Sequence, residues 1–239
     1  MAPTGATGRR QPEPLSEAEA EAIASRKRAA ARAAAELVED GMLVGLGTGS
    51  TVSYLLPALA ARGLKKLRCA ATSPATDIAA RALGLAVEDL DALHELDIAI
   101  DGADQVDPAG WLVKGGGGAL TREKVVAAAA RRFVVIVSAE KEVAELSAPV
   151  PLELLRFGVR HTLAAVAPAA LRDVPVSPDG GLIADYLGVV PGDPRTLARR
   201  LDATPGVVEH GLFPPEMVSL ILVGGDDGVR RREDAAEPP

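Results

Sequence analysis

Residues 42–61, MLVGLGTGSTVSYLLPALAA, decide how this chain is read. An aliphatic run from Met42 to Leu46 meets a Gly-Thr-Gly-Ser-Thr turn at 47–51, and a helical stretch follows from Val52 to Ala61. Such a short apolar run predicts a strand buried on both faces, as in a parallel sheet covered by helices. Glycines in the turn let backbone approach a ligand, and the helix N-terminus behind them favours an anion. The turn is not a P-loop, because no Gly-Lys-Ser/Thr closes it. It is not a dinucleotide fingerprint either: counted from Gly45 and Gly47, the third glycine falls at Ser50. Read alone, the segment also suits a plain strand-to-helix connection.

Outward from this unit the alternation continues. Ser16 is placed to cap a helix that ends before Gly41. Strands are predicted at Leu67 to Ala71, Leu85 to Val87, Leu96 to Ile100, Trp111 to Val113 and Phe133 to Val137. Helices are predicted at Thr76 to Leu83 and Leu120 to Arg132. The pattern is α/β: a Rossmann-like parallel sheet with helices on both faces, over residues 16–148. After Pro149 come a strand at Leu152 to Leu155, a helix at Arg160 to Leu171 and a hairpin from Val174 to Tyr186 around Pro178-Asp179-Gly180-Gly181. A helix at Pro194 to Ala203 and a strand at Val207 to Leu212 complete a smaller ferredoxin-like α+β domain, 149–218. Ser219 to Gly224 then returns to the first sheet, completing it at about 219–229. Residues 1–15 and 230–239 are expected to be disordered extensions.

The composition narrows the function. Hydrophobic residues are 48% and aromatics 3%, so the core is mostly Val, Leu, Ile and Ala. A formal net charge of -7 argues against a general nucleic-acid binder. No apolar run reaches the roughly 18 residues of a membrane span, and residues 1–14 hold no signal-peptide apolar core. The single cysteine, Cys69, reads as a small core residue in a reducing compartment. A cytoplasmic location, with no nucleic-acid or membrane partner, is the expectation. His94, His161 and His210 show no metal-ligand spacing and read as structural or surface residues.

Two more turns at strand ends carry chemistry. Asp101-Gly102-Ala103-Asp104-Gln105-Val106-Asp107 crowds carboxylates at the end of an aliphatic strand, which is costly unless something pairs with them. Proton exchange with sugar hydroxyls, an oxygen-ligand metal site and a solvated acidic turn all fit it. Lys114 then opens a glycine run, Gly115 to Gly118, followed by Ala119-Leu120-Thr121-Arg122-Glu123. Four consecutive glycines are conformationally expensive, so backbone N–H groups lining a ligand are a better reason than a simple connection. Glu123 falls in the first turn of the next helix. Alone, it is an ordinary acid favoured by the helix dipole.

Taken together, VGLGTGST (44–51), IDGADQVD (100–107) and KGGGGALTREK (114–124) resemble the type A family of ribose-5-phosphate isomerases. TSPAT (72–76), VSAEK (137–141), PGVVEHGLF (205–213) and LVGG (222–225) are weaker matches, and the resemblance spans about residues 17–230. It implies interconversion of D-ribose 5-phosphate and D-ribulose 5-phosphate with no cofactor and no metal, and a homodimer or homotetramer. The family's general base falls on Glu123, its pocket aspartates on Asp101 and Asp104, and its pocket lysine on Lys114. The ligand-lining residues fall on Thr48, Gly49, Ser50, Thr51, Gly102, Ala103, Gly115, Gly116, Gly117, Lys141 and Lys27. Such an isomerase needs a carboxylate with a pKa raised towards the working pH and a donor for the enediolate oxygen. Asp101 or Asp104 would handle the ring-hydroxyl proton, and the phosphate would supply remote binding energy. The alternative is a non-catalytic sugar-phosphate regulator on the same scaffold. Departures from the family are Gln105 in place of Glu and SPDGG (177–181) in place of an Asn-Gly hairpin. The second touches the small domain and is expected to leave the catalytic residues alone.

Overall fold

Ser16 starts the first helix as expected: its hydroxyl accepts from the Glu19 N–H at 3.3 Å, while the Glu19 carboxylate takes the Ser16 N–H at 2.9 Å. The computed structural model describes residues 15–93 and 95–233. The elements run α1 (Glu17–Ala35), β1 (Leu43–Leu46), α2 (Val52–Ala61), β2 (Arg68–Ala71), α3 (Pro74–Ala82) and β3 (Ala86–Val87). Next come β4 (Ile98–Asp101), β5 (Gln105–Val106), β6 (Leu112–Val113), α4 (Leu120–Ala128) and β7 (Phe133–Ser138). Then follow β8 (Val150–Leu154), α5 (Val159–Ala165), β9 (Ala169–Leu171), β10 (Leu182–Tyr186) and α6 (Pro194–Asp202). The last are β11 (Val207–His210), β12 (Leu212–Phe213), β13 (Leu220–Gly225) and β14 (Gly228–Glu233).

The main sheet has seven strands in the order β14-β13-β7-β4-β1-β2-β3, parallel throughout except for β14. The period of two along each strand separates two cores. Val44, Leu46, Ile98, Ile100, Val134, Ile136, Leu220 and Leu222 face α1 and α2. Ala99, Val135, Val137, Ile221 and Val223 face Val126 and Ala127 of α4, together with Phe213 and Leu112. A three-stranded sheet, β12-β6-β5, therefore shares the second face with α4. Strand order reverses beside β1, so the crevice between β1 and β4 is where an open α/β sheet binds ligand.

The smaller unit is a four-stranded antiparallel sheet, β11-β8-β10-β9, the ferredoxin-like order. Leu197, Ala198 and Leu201 of α6 and Val166 after α5 pack against Leu152, Leu154 and Ala184.

Three expectations are corrected. The helix predicted over 160–171 ends at Ala165, because Pro168 has no N–H to continue it and restricts the residue before it; residues 169–171 become β9 instead. The hairpin partner of β10 is accordingly β9 and not a strand from Val174: Pro175 and Pro178 cannot donate to a ladder, and 172–181 is a loop closed by Ser177 N–H to Gly181 O at 2.8 Å. The predicted tail 230–239 is wrong for residues 230–233, which belong to β14. There Arg230 and Arg232 reach the Glu142 carboxylate, and Arg232 also donates to the Asp107 and Pro108 carbonyls at 3.0 and 3.1 Å. A one-sided, charged edge strand lacks the apolar run that marks buried ones. The remainder of that tail, residues 1–14 of the N-terminal extension and His94 lie outside the described residues.

Candidate active site

The carboxyl ends of β1, β4 and β7 converge with the loop after β6. They bring the turn 47–51, the acidic turn 101–104, Lys141 and the run 114–117 around one cleft. Its walls are Thr48, Gly49, Ser50, Thr51, Gly102, Ala103, Asp104, Lys114, Gly115, Gly116, Gly117, Glu123 and Lys141. Of the residues singled out in the sequence, only Asp101 and Lys27 stand outside this lining.

Asp101 sits just behind it. One carboxylate oxygen accepts the Thr48 N–H at 3.0 Å and the Gly102 N–H at 2.7 Å; the other takes Lys114 Nζ at 2.8 Å. Lys114 Nζ also donates to the Gly102 carbonyl and lies 3.2 Å from Glu123 Oε2. All three charges are buried: Lys114 is 2% exposed, Asp101 3% and Glu123 4%. One ammonium thus stands between two carboxylates, all three largely shielded from solvent. Burial works against the Lys114 charge, but Asp101 and Glu123 outweigh it and hold its pKa above the ordinary value. Burial pushes Glu123 up to about 7; the Lys114 charge opposes this, and the charges of Asp101 and Asp104 add to it. Apart from the Lys114 ammonium at 3.2 Å, Glu123 Oε2 meets no donor among the described residues. It is a carboxylate poised to take a proton near neutrality.

Gly47 explains why the first turn must lack a side chain at that point. A Cβ there would lie 1.9 Å from Asp101 Oδ1. Gly47→Ala is expected to destabilise the fold by roughly 1–3 kcal/mol, because Asp101 must leave its three donors to make room. Turnover should fall with it. A thermal melt and an activity assay of the variant check both; wild-type values would show that Asp101 has freedom to shift.

Asp104 lines the cleft and accepts the Gly116 N–H at 2.9 Å, tying the acidic turn to the glycine run. Lys27 on α1 donates to Ser50 Oγ at 2.9 Å, which brings a cation to the edge of the phosphate-type turn. Thr48 lines the cleft with its side chain engaged by neighbours. Its hydroxyl is turned into a knot with Ser73 Oγ at 2.6 Å and Thr76 Oγ1 at 3.0 Å, and Thr76 Oγ1 donates to the Gly47 carbonyl at 2.9 Å. Ser73 and Thr76 are residues the sequence reading passed over as functional. Their signal is Ser73 before Pro74, the N-cap and first position of α3.

Gln105, the departure from the family pattern, has a local reason. Its amide donates to the Ser147 carbonyl at 2.9 Å and accepts the Ser147 N–H at 2.8 Å. A carboxylate cannot make the first of these bonds. The small unit reaches the glycine run, where Arg172 donates to the Gly115 and Gly116 carbonyls.

His210 is buried, and burial lowers its pKa to about 4. His161 is exposed. Among the described residues, the acid and histidine side chains that converge with metal-ligand spacing are Asp202, Glu209 and His210, none of which lines the cleft. There Lys124 Nζ already occupies Glu209 at 2.6 Å. No described helix is long and apolar enough to cross a membrane.

Comparison with known proteins follows the same lines. Residues 68–228 match the family described as ribose 5-phosphate isomerase A (phosphoriboisomerase A). The ribose-5-phosphate isomerase A of Caulobacter vibrioides is 46% identical over 219 residues, covering 86% of this chain and 96% of that protein. The solved ribose 5-phosphate isomerase A of Methanocaldococcus jannaschii superposes with a TM-score of 0.82 at 33% identity, over 87% of this chain and 98% of that one. A D-ribose-5-phosphate isomerase solved with phospho-erythronic acid gives 0.83 at 33% identity, over 89% and 99%. These relatives are named as isomerases, so the alternative of a non-catalytic regulator finds no support. With its fold, its cleft motifs and nearly its whole length shared with them, the chain belongs to the ribose 5-phosphate isomerase A family.

Proposed function

We propose that the chain interconverts D-ribose 5-phosphate and D-ribulose 5-phosphate through an enediolate, with Glu123 moving the proton between C2 and C1. The observation that carries this reading is Glu123 itself, a carboxylate 4% exposed, raised to about 7 and set beside a buried ammonium. Glu123 takes the proton from C2, and the electron pair forms the C1–C2 double bond, placing negative charge on the C1 oxygen. The same carboxyl then delivers the proton to C1 while the C2 hydroxyl proton passes to the C1 oxygen, leaving a carbonyl at C2 and a hydroxyl at C1.

The other roles follow from position. Lys114, held by Asp101, stabilises the developing oxyanion without having to reorganise. Asp104 is the carboxylate that faces the cleft, so it handles the ring-hydroxyl proton, while Asp101 acts through Lys114. Ser50, Thr51, Lys141 and Lys27 bind the phosphate at the start of α2.

Ketose formation from ribose 5-phosphate by the purified chain tests the reading, and its absence would sink it. The chemistry needs no metal, because Lys114 already supplies positive charge between the two carboxylates. The rate with chelator is therefore expected to equal the rate without. A loss restored by a divalent ion would make the acidic turn a metal site. The proposal extends to a cytoplasmic homodimer or homotetramer. Phe157, 93% exposed, and Val189, 85% exposed, favour self-association, which sedimentation velocity would read.

A further inference from the structure

Arg172 belongs to the small unit, just after β9, and is not part of the cleft lining. Its guanidinium is fixed on one side by Asp185 of β10, with Nε to Oδ2 at 2.7 Å and Nη2 to Oδ1 at 2.6 Å. Both side chains are 17% exposed, and the pair is bidentate and planar, the arrangement in which a guanidinium is most firmly oriented. The remaining nitrogen, Nη1, donates to Gly115 O at 3.2 Å and to Gly116 O at 3.0 Å.

Those two carbonyls belong to consecutive peptide units of the glycine run. Both units are trans, so each N–H points opposite to its carbonyl. In the first, Arg172 holds Gly115 O and the Gly116 N–H goes to Asp104 Oδ2 at 2.9 Å. In the second, Arg172 holds Gly116 O and the opposed group is the Gly117 N–H. Gly117 lines the cleft, and its N–H meets no acceptor among the described residues. The run needs such a constraint: Gly115 has φ 97° and Gly118 φ 78°, where glycine is free to flip its peptides.

We propose that Arg172 is a positioning residue for the isomerisation: by pinning the Gly115 and Gly116 carbonyls it aims the Gly117 N–H into the cleft as a donor to the oxygen on which the enediolate charge builds. This rests on the isomerase reading above. The donor is preorganised by a residue of the other unit, so the small unit contributes to catalysis without touching substrate. A donor serving the transition state more than the ground state changes kcat more than KM.

The test is steady-state kinetics on Arg172→Met and Arg172→Lys across pH, with Glu123→Gln in the same assay. Arg172→Met leaves Gly117 in place but loosens it, and kcat is expected to fall about tenfold, less than the 10²–10³ of losing an oxyanion donor outright. KM should change less than about twofold, and the acid limb of the pH profile should stay where it is, because Glu123 keeps its surroundings. Arg172→Lys keeps a charge against Asp185 but has no planar fork; the same split is expected, at about three- to tenfold. This second variant decides the matter where the methionine variant does not fold. A folded variant with wild-type kcat, a loss confined to KM, or a loss that moves the acid limb would each overturn the proposal. Retained turnover in Glu123→Gln would overturn the base assignment instead, whatever Arg172 does.

Discussion

Glu123→Gln is expected to lower turnover by at least about a hundredfold while substrate still binds. The amide has nearly the shape of the carboxyl group but cannot accept and return a proton. The proposed phosphate grip lies elsewhere in the cleft, at Ser50, Thr51 and Lys141, so KM should move little. The pH profile gives an independent handle. Glu123 works as a base only when deprotonated, and its pKa stands at about 7. The wild-type kcat/KM should therefore fall about tenfold per unit as pH drops below about 7, and it should level off above. The residual activity of the glutamine variant should lack this limb. Stopped-time assays of ketose formation between pH 5 and 9 on both proteins would read it. Near-normal turnover in the variant would remove Glu123 from the reaction.

Lys114→Met should do damage of two kinds. It removes the one cation that faces Asp101 and Glu123 together, leaving two buried carboxylates without it. Removing one partner of a buried ionic group costs about 3–5 kcal/mol. The sign with pH follows from Glu123. Lys114 holds its pKa down, so the variant's Glu123 titrates above 7. A carboxyl whose folded pKa is raised is stable when protonated, so the variant should lose further stability as pH rises through that pKa and regain it on acidification. Activity should drop by about 10²–10³ through loss of the oxyanion partner. The remaining acid limb should shift to higher pH, since less of the base is ionised at neutrality. Urea unfolding at two pH values and the pH–rate profile give both readouts. An unshifted limb with an unchanged unfolding midpoint would dissolve the three-residue cluster as a functional unit.

Much of the main sheet was legible because its strands are buried on both faces. A run such as Phe133 to Val137 is apolar throughout, and so it announces itself. Strands with other reasons to exist were not legible. β5 has two residues, too short for any period, and β14 is a charged edge. The end of α5 was signalled by Pro168, but the apolar residues beyond it continued a helical pattern and outweighed the signal.

The site divides the same way. The three motifs, their order and the identity of Glu123, Lys114, Asp101 and Asp104 are properties of the sequence by itself, because strand ends in a parallel sheet must meet at one edge. Tertiary structure alone decided which of the aspartates lines the cleft. It engaged the Thr48 hydroxyl with Ser73 and brought Arg172, 57 residues from Gly115, onto the glycine run. Those outcomes depend on side-chain direction and on contacts between segments far apart in the chain. Neither leaves a local pattern in the sequence.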